Sequence, residues 1–167
     1  MIATGVINRA VVKEGKPYPP VSLEELEILD GVRPALESLR QSGFLLFVVT
    51  NQPDVVRGTQ TQEAVERIHA FLLKELALDD IFTCYHDKQF PCPCRKPQPG
   101  LLLQAAERYN VDLLASYMIG DRWKDVAAGQ AAGCTSIFID YHYAEQRPEP
   151  PFTIAHSLLD SLRYISG

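Results

Sequence analysis

No stretch of this sequence is apolar for long enough to cross a bilayer: the best unbroken run, Phe44 to Val49, is strand-sized. No membrane partner is expected. Basic residues are also scarce, with 16 Lys and Arg against 21 Asp and Glu and a net charge of -5. That balance excludes the basic face of a phosphate-backbone binder, so no nucleic-acid partner is expected either. The N-terminus lacks the charged region and apolar stretch of a secretory signal, which points to the cytoplasm. No internal repeat, low-complexity tract or interdomain linker is visible, and nothing specifies an oligomer. Residues 1–167 therefore read as one domain, with 46% hydrophobic residues to form a core.

Cysteine is sparse as well. Of the four, Cys84, Cys92 and Cys94 crowd around His86, while Cys134 lies apart in "AAGCTS" and reads as a small core residue. Clustered Cys and His in a cytoplasmic chain favour metal over disulfides.

Apolar periodicity alternates between strand and helix. "FLLFVVT" (residues 44–50) is a continuous β-branched run suited to burial on both faces. "IFTCYH", "SYMIGD" and "TSIFID" are further strands. "GVRPALESLRQSG", "TQEAVERIHAFLLKELAL", "PGLLLQAAERYN", "WKDVAAGQAAG" and the terminal "TIAHSLLDSLRYI" read as helices. This alternation implies an α/β, Rossmann-like, mainly parallel sheet with helices on both faces. The segment between Asn8 and Asp30, rich in Pro and Glu, reads as a loop with a turn or two of helix. From it, Lys16 or Tyr18 could contribute to substrate selection.

In such sheets the site lies beyond the carboxyl ends of the strands. That rule singles out Thr50-Asn51-Gln52 and Gly120-Asp121-Arg122. The first supplies a hydroxyl, two amides and backbone N–H groups suited to phosphate oxygens. Arg95-Lys96 stands just before a helix start, where anions are favoured. Asp121 at its strand end can face Mg²⁺. Asp125, one turn on, can hold Arg122 or Lys96 in place or cap its helix. "CYHDKQFPCPC" spaces Cys84, His86, Cys92 and Cys94 as C-x-H-x5-C-x-C, a complete tetrahedral shell for a structural Zn²⁺. That metal would pin the loop that presents Arg95. His69 belongs to an amphipathic helix, and His142 and His156 lack partners at ligand spacing.

Taken together, "GVINR", "VVTNQ", the C-x-H…C-x-C-R-K-P-x-P-G run and "MIGDRWKD" resemble the haloacid dehalogenase-like phosphatases. Within them the chain is similar to the branch without a cap domain that holds histidinol-phosphate phosphatase and D,D-heptose 1,7-bisphosphate 7-phosphatase. The resemblance spans nearly the whole chain. It implies Mg²⁺-dependent hydrolysis of a small phosphorylated metabolite, with heptose bisphosphate as leading substrate and histidinol phosphate as alternative. In the implied mechanism a first Asp attacks phosphorus and a second, two residues later, is general acid and base. Mg²⁺ bridges nucleophile, phosphate and Asp121. Thr50, Arg95 and Lys96 stabilise the transferring group, with Asn51 and Gln52 beside it and Arg122 and Asp125 supporting.

Gly5 sets the register of the implied Asp-x-Asp-Gly motif, and it puts Ile2 at the nucleophile and Thr4 at the acid/base. Neither side chain can serve, so this chain is expected to be inactive, and one reading makes it a pseudoenzyme that binds a phosphorylated ligand. The central first strand, which the resemblance places ahead of that motif, is expected to be truncated. Met-Ile codons read two bases on contain an aspartate codon, and the next codons permit Asp-Arg-Asp-Gly. A single base gained near Gly5, with the start assigned out of frame, is the expected origin.

Overall fold

The structure, a computed structural model, describes residues 1–165. In chain order its elements are β1 (Ile2–Ala3), α1 (Thr4–Ile7), β2 (Val11–Lys13), β3 (Lys16–Tyr18), α2 (Val32–Gln41), β4 (Phe47–Asn51), α3 (Gln62–Glu75) and β5 (Asp80–Cys84). Then follow α4 (Gly100–Tyr109), β6 (Tyr117–Gly120), α5 (Trp123–Ala132), β7 (Thr135–Ile139), β8 (Thr153–Ala155) and α6 (Leu158–Ser161). Six strands form one sheet in the order β5-β4-β1-β6-β7-β8, every neighbouring pair parallel. The α/β reading from periodicity therefore holds.

The direction in which successive connections step across the sheet reverses at β1. The connections from β1 to β4 and β4 to β5 step one way, and those from β5 to β6 and β6 to β7 step the other. Right-handed crossovers then place α2 and α3 on one face and α4 and α5 on the opposite one. Each helix turns an apolar stripe inward; in α2 this is Val32, Ala35, Leu36 and Leu39, at helical spacing. The Thr61 hydroxyl starts α3 by accepting from the Ala64 N–H at 3.2 Å.

The first strand is two residues long, yet it holds the centre. Ile2 stands opposite Val48 on one side and Ile119 on the other, and Ala3 stands opposite Val49. The Met1 carbonyl accepts from the Ile119 N–H at 2.9 Å. Toward the amino ends of β4 and β6 the sheet opens into a cavity of about 250 Å³, lined by apolar groups such as Met1, Leu39, Phe44 and Val111.

Three local expectations are corrected. The strand expected from Phe44 begins at Phe47, where pairing with β5 starts opposite Asp80; β1 adds partners only at Val48 and Val49. Leu46 is instead tied to Asp79, whose carboxylate accepts its N–H and whose N–H donates to its carbonyl. The segment expected to be loop with a helical turn folds back as the β2–β3 hairpin. Glu14 and Gly15, both at positive φ, supply its two-residue turn. The terminal helix starts only at Leu158, capped by the Ser157 hydroxyl. Ahead of it, β-branched Thr153 and Ile154 extend the sheet along β7.

Candidate functional site

The carboxyl ends of β1, β4 and β6 open into a cavity of about 300 Å³. β4 delivers Thr50, 3% exposed, and beyond it Gln52. The Gln52 amide donates to the Thr50 hydroxyl oxygen at 3.2 Å, which leaves the Thr50 proton free to point into the cavity. Asn51 is spent on scaffolding. Its Oδ1 accepts from the Lys96 N–H and its Nδ2 donates to the Lys96 carbonyl, each at 3.1 Å. That clamp brings Lys96, from the loop after β5, to the end of β4. There its buried ammonium donates to the Val49 carbonyl at 2.7 Å and pairs with Asp125 Oδ1 at 2.7 Å.

Asp121 follows β6 directly and is 4% exposed. Burial and the neighbouring Asp125 charge raise its carboxyl to about 7. It lies against Gly5: a Cβ there would collide with the Asp121 carboxylate, so only glycine fits this approach. Asp125 is beside Asp121, yet both its oxygens are engaged, Oδ1 by Lys96 and Oδ2 by the Arg122 N–H at 3.0 Å. The latter bond also starts α5.

Ile2 is 2% exposed, sits in the core and does not line the cavity. Ala3, Thr4 and Gly5 do line it. Thr4 Oγ1 and Asn8 Oδ1 are buried oxygens without a hydrogen-bond partner. A bound cation, water or ligand hydroxyl would satisfy such atoms.

Arg95 is held toward the cavity by the metal-type loop. Its Nη1 donates to the His86 carbonyl at 2.8 Å, and its Nη2 lies 3.8 Å from Asp87. The donor atoms of Cys84, His86, Cys92 and Cys94 lie within 4.8 Å of one another. Sulfur–sulfur distances are 3.7 Å for Cys84–Cys92, 3.5 Å for Cys94–Cys92 and 2.9 Å for Cys94–Cys84. His86 Nδ1 stands 3.5 Å from Cys84 Sγ and 3.3 Å from Cys94 Sγ. A tetrahedral ion with bonds of about 2.3 Å to sulfur needs edges of about 3.8 Å, so small outward shifts make the set fit zinc. Burial, reinforced by the bond with Cys94, pushes the Cys84 thiol up to about 12, a cost that a cation would remove.

Several groups at the site carried no sequence signal. Glu145, in the loop after β7, accepts from Arg122 through both oxygens, one bond being 2.8 Å from Nε. The Tyr143 phenol is raised by burial and by the adjacent Asp121 charge. Arg57 holds Asp87 with two bonds of 2.7 and 2.6 Å. The Glu145, Tyr143 and Arg57 contacts join residues far apart in the chain, and no local pattern announces them. Lys16 and Tyr18, which the sequence offered for substrate selection, lie on the hairpin and line the cavity. The remaining histidines stand away from the cavity: His69 Nδ1 is 3.4 Å from the Thr83 hydroxyl, and His142 and His156 are exposed. Cys134 is buried in the core. Among the described residues, no helix is long and apolar enough to cross a membrane.

Residues 6–133 match the family described as haloacid dehalogenase-like hydrolase. The chain is similar to D-glycero-beta-D-manno-heptose-1,7-bisphosphate 7-phosphatase of Escherichia coli K12, with 38% identity over 122 residues, covering 66% of this chain and 64% of that protein. The protein of that name from Helicobacter pylori J99 is 38% identical over 112 residues, with 64% of each chain covered. The matches thus span a little under two thirds of the length of these curated relatives. Among solved structures, D,D-heptose 1,7-bisphosphate phosphatase from B. bronchiseptica, complexed with magnesium and phosphate, superposes with a TM-score of 0.83 at 26% identity. That superposition covers 98% of this chain and 94% of the other.

Proposed function

Because the chain belongs to the haloacid dehalogenase-like hydrolase family, we propose that its cavity takes the phosphate of a small phosphorylated sugar of the heptose 1,7-bisphosphate type. The observation that carries this reading is the convergence of Thr50, Lys96 and Asp121 at three adjacent strand ends in one buried pocket. The curated relatives described above favour a sugar bisphosphate over histidinol phosphate.

In this reading the Thr50 hydroxyl donates to a non-bridging oxygen, and Lys96 and Arg95 balance the phosphate charge. Asp125 keeps the Lys96 ammonium aimed along the pocket, and Asn51 fixes the backbone that carries it. Asp121 would hold magnesium, with Thr4 Oγ1 as a neutral oxygen nearby. Bound there, the ion would neutralise phosphate charge. Zinc would occupy the Cys84, His86, Cys92 and Cys94 shell, closed to water and therefore structural, fixing the His86 carbonyl on which Arg95 rests.

No carboxylate stands at Ile2 or Thr4, and the acidic side chain beside Asp121 is fully engaged. This chain therefore binds its ligand without turning it over. Calorimetric titration of the chain with inorganic phosphate tests the cradle: binding that Lys96→Ala abolishes supports it, and no binding by the parent chain refutes it.

A further inference from the structure

Asp87 is a buried carboxylate between two guanidinium groups, at 7% exposure. Arg57, from the segment between β4 and α3, meets it side on. Its Nε donates to Oδ2 at 2.7 Å and its Nη2 to Oδ1 at 2.6 Å. The Lys88 N–H adds a bond to Oδ1 at 2.6 Å, so both oxygens are taken. Arg95 Nη2 stops 3.8 Å from the same Oδ1, beyond hydrogen-bond range. The rest of Arg95 is open to the cavity that it lines. Its Nη1 rests on the His86 carbonyl at 2.8 Å, and among the described residues its other side-chain donors make no hydrogen bond. Arg57 also reaches a second carboxylate, donating from Nη1 to Asp54 Oδ1 at 3.1 Å.

We propose that Arg57 is a positioning residue: by occupying both oxygens of Asp87, it keeps that carboxylate from capturing Arg95, whose guanidinium stays available to a phosphate in the cavity. This rests on the phosphate-cradle reading above and adds a residue that acts through another. A buried carboxylate stripped of its partner is costly, and it draws in a cation within reach. Among the described residues, Arg95 is the other side-chain cation within ion-pair distance of Asp87. A move of about 1 Å by its Nη2 would complete a charge-assisted bond. The donors engaged there are then lost to a ligand. Arg57 and Arg95 therefore compete for one carboxylate, and the side-on fork of Arg57 holds it.

The test is calorimetric titration of the full chain with inorganic phosphate. Arg57→Ala should weaken binding about tenfold, the contribution of one charge-assisted bond from Arg95. Arg57→Lys, which keeps a cation on Asp87, should recover part of the loss. Two double variants decide the mechanism. Arg57→Ala with Asp87→Asn should bind as tightly as the parent, because a neutral amide no longer captures Arg95 yet still accepts the Lys88 N–H. Arg57→Ala with Asp54→Asn removes an equal charge from the same cluster, out of ion-pair reach of Arg95, and should stay weak. If neither double variant recovers, Arg57 is a latch between loops or a direct phosphate ligand, and the proposal falls. Equal recovery by both assigns the effect to net charge and overturns it too, as does an Arg57→Ala chain that binds like the parent. In each of these results the cradle stands. A parent chain that does not bind inorganic phosphate removes the cradle reading, and this proposal with it.

Discussion

The Lys96 ammonium lies 2.7 Å from Asp125 Oδ1, with both side chains nearly excluded from solvent, at 6% and 4% exposure. Asp125 also closes the start of α5 through the Arg122 N–H. One carboxylate thus fixes a phosphate-facing cation and the helix that carries Arg122 and Lys124.

Removing that carboxylate strands a buried cation. Asp125→Ala is expected to cost about 3 to 5 kcal/mol in urea denaturation. Changing Lys96→Met in the same chain should recover part of the loss, because the pair then leaves together. A single variant as stable as the parent would show that the ion pair does not form.

Gly5 has no room for a side chain against Asp121. Gly5→Ala should lower stability by about 1 to 3 kcal/mol, the usual range for overpacking. Phosphate binding should weaken too, since Asp121 must move. Unchanged melting and unchanged affinity would mean that this close approach is absent in solution.

Metal in the Cys84–His86–Cys92–Cys94 shell should be found as one zinc per chain by elemental analysis. Stripping it, or Cys92→Ser, should lower the melting temperature and weaken phosphate binding, because Arg95 depends on the His86 carbonyl. A metal-free chain with parent-like stability and affinity would oppose this.

Burial lowers the His69 imidazole to about 4 from 6.5. The unfolded chain then binds the extra proton between those values, so stability is full above pH 6.5 and falls as pH drops toward 4. The loss is at most about 3 kcal/mol. Comparing unfolding free energies of the parent and His69→Gln across pH 4 to 7 checks this: the variant should show a shallower acid slope. Identical slopes would assign the acid sensitivity to other groups.

Much of this molecule was legible in local pattern. Buried β-branched runs such as Val48-Val49 announce strands, and helical stripes such as Val32, Ala35, Leu36 and Leu39 announce the layers around them. The reversal in the order of connections at β1 then points to the carboxyl end of the sheet, where Thr50 and Asp121 lie. Pairings between distant residues were not legible. Glu145 reaching Arg122, Asn51 clamping Lys96 and Tyr143 lying beside Asp121 depend on where loops land. The hairpin at Glu14-Gly15 was missed because Pro and Glu in that segment mask a two-residue turn. The edge strand β8 was missed because Thr153 and Ile154 also fit the start of a helical pattern.

The account holds that the phosphate cradle is complete while the attacking carboxylate is missing. Its most direct test is the rate of magnesium-dependent phosphate release from a sugar bisphosphate by this chain, in a sample that binds inorganic phosphate. No release above the protein-free rate is predicted. Turnover that a magnesium chelator abolishes would contradict the account, because a group other than Ile2 or Thr4 would then be attacking phosphorus.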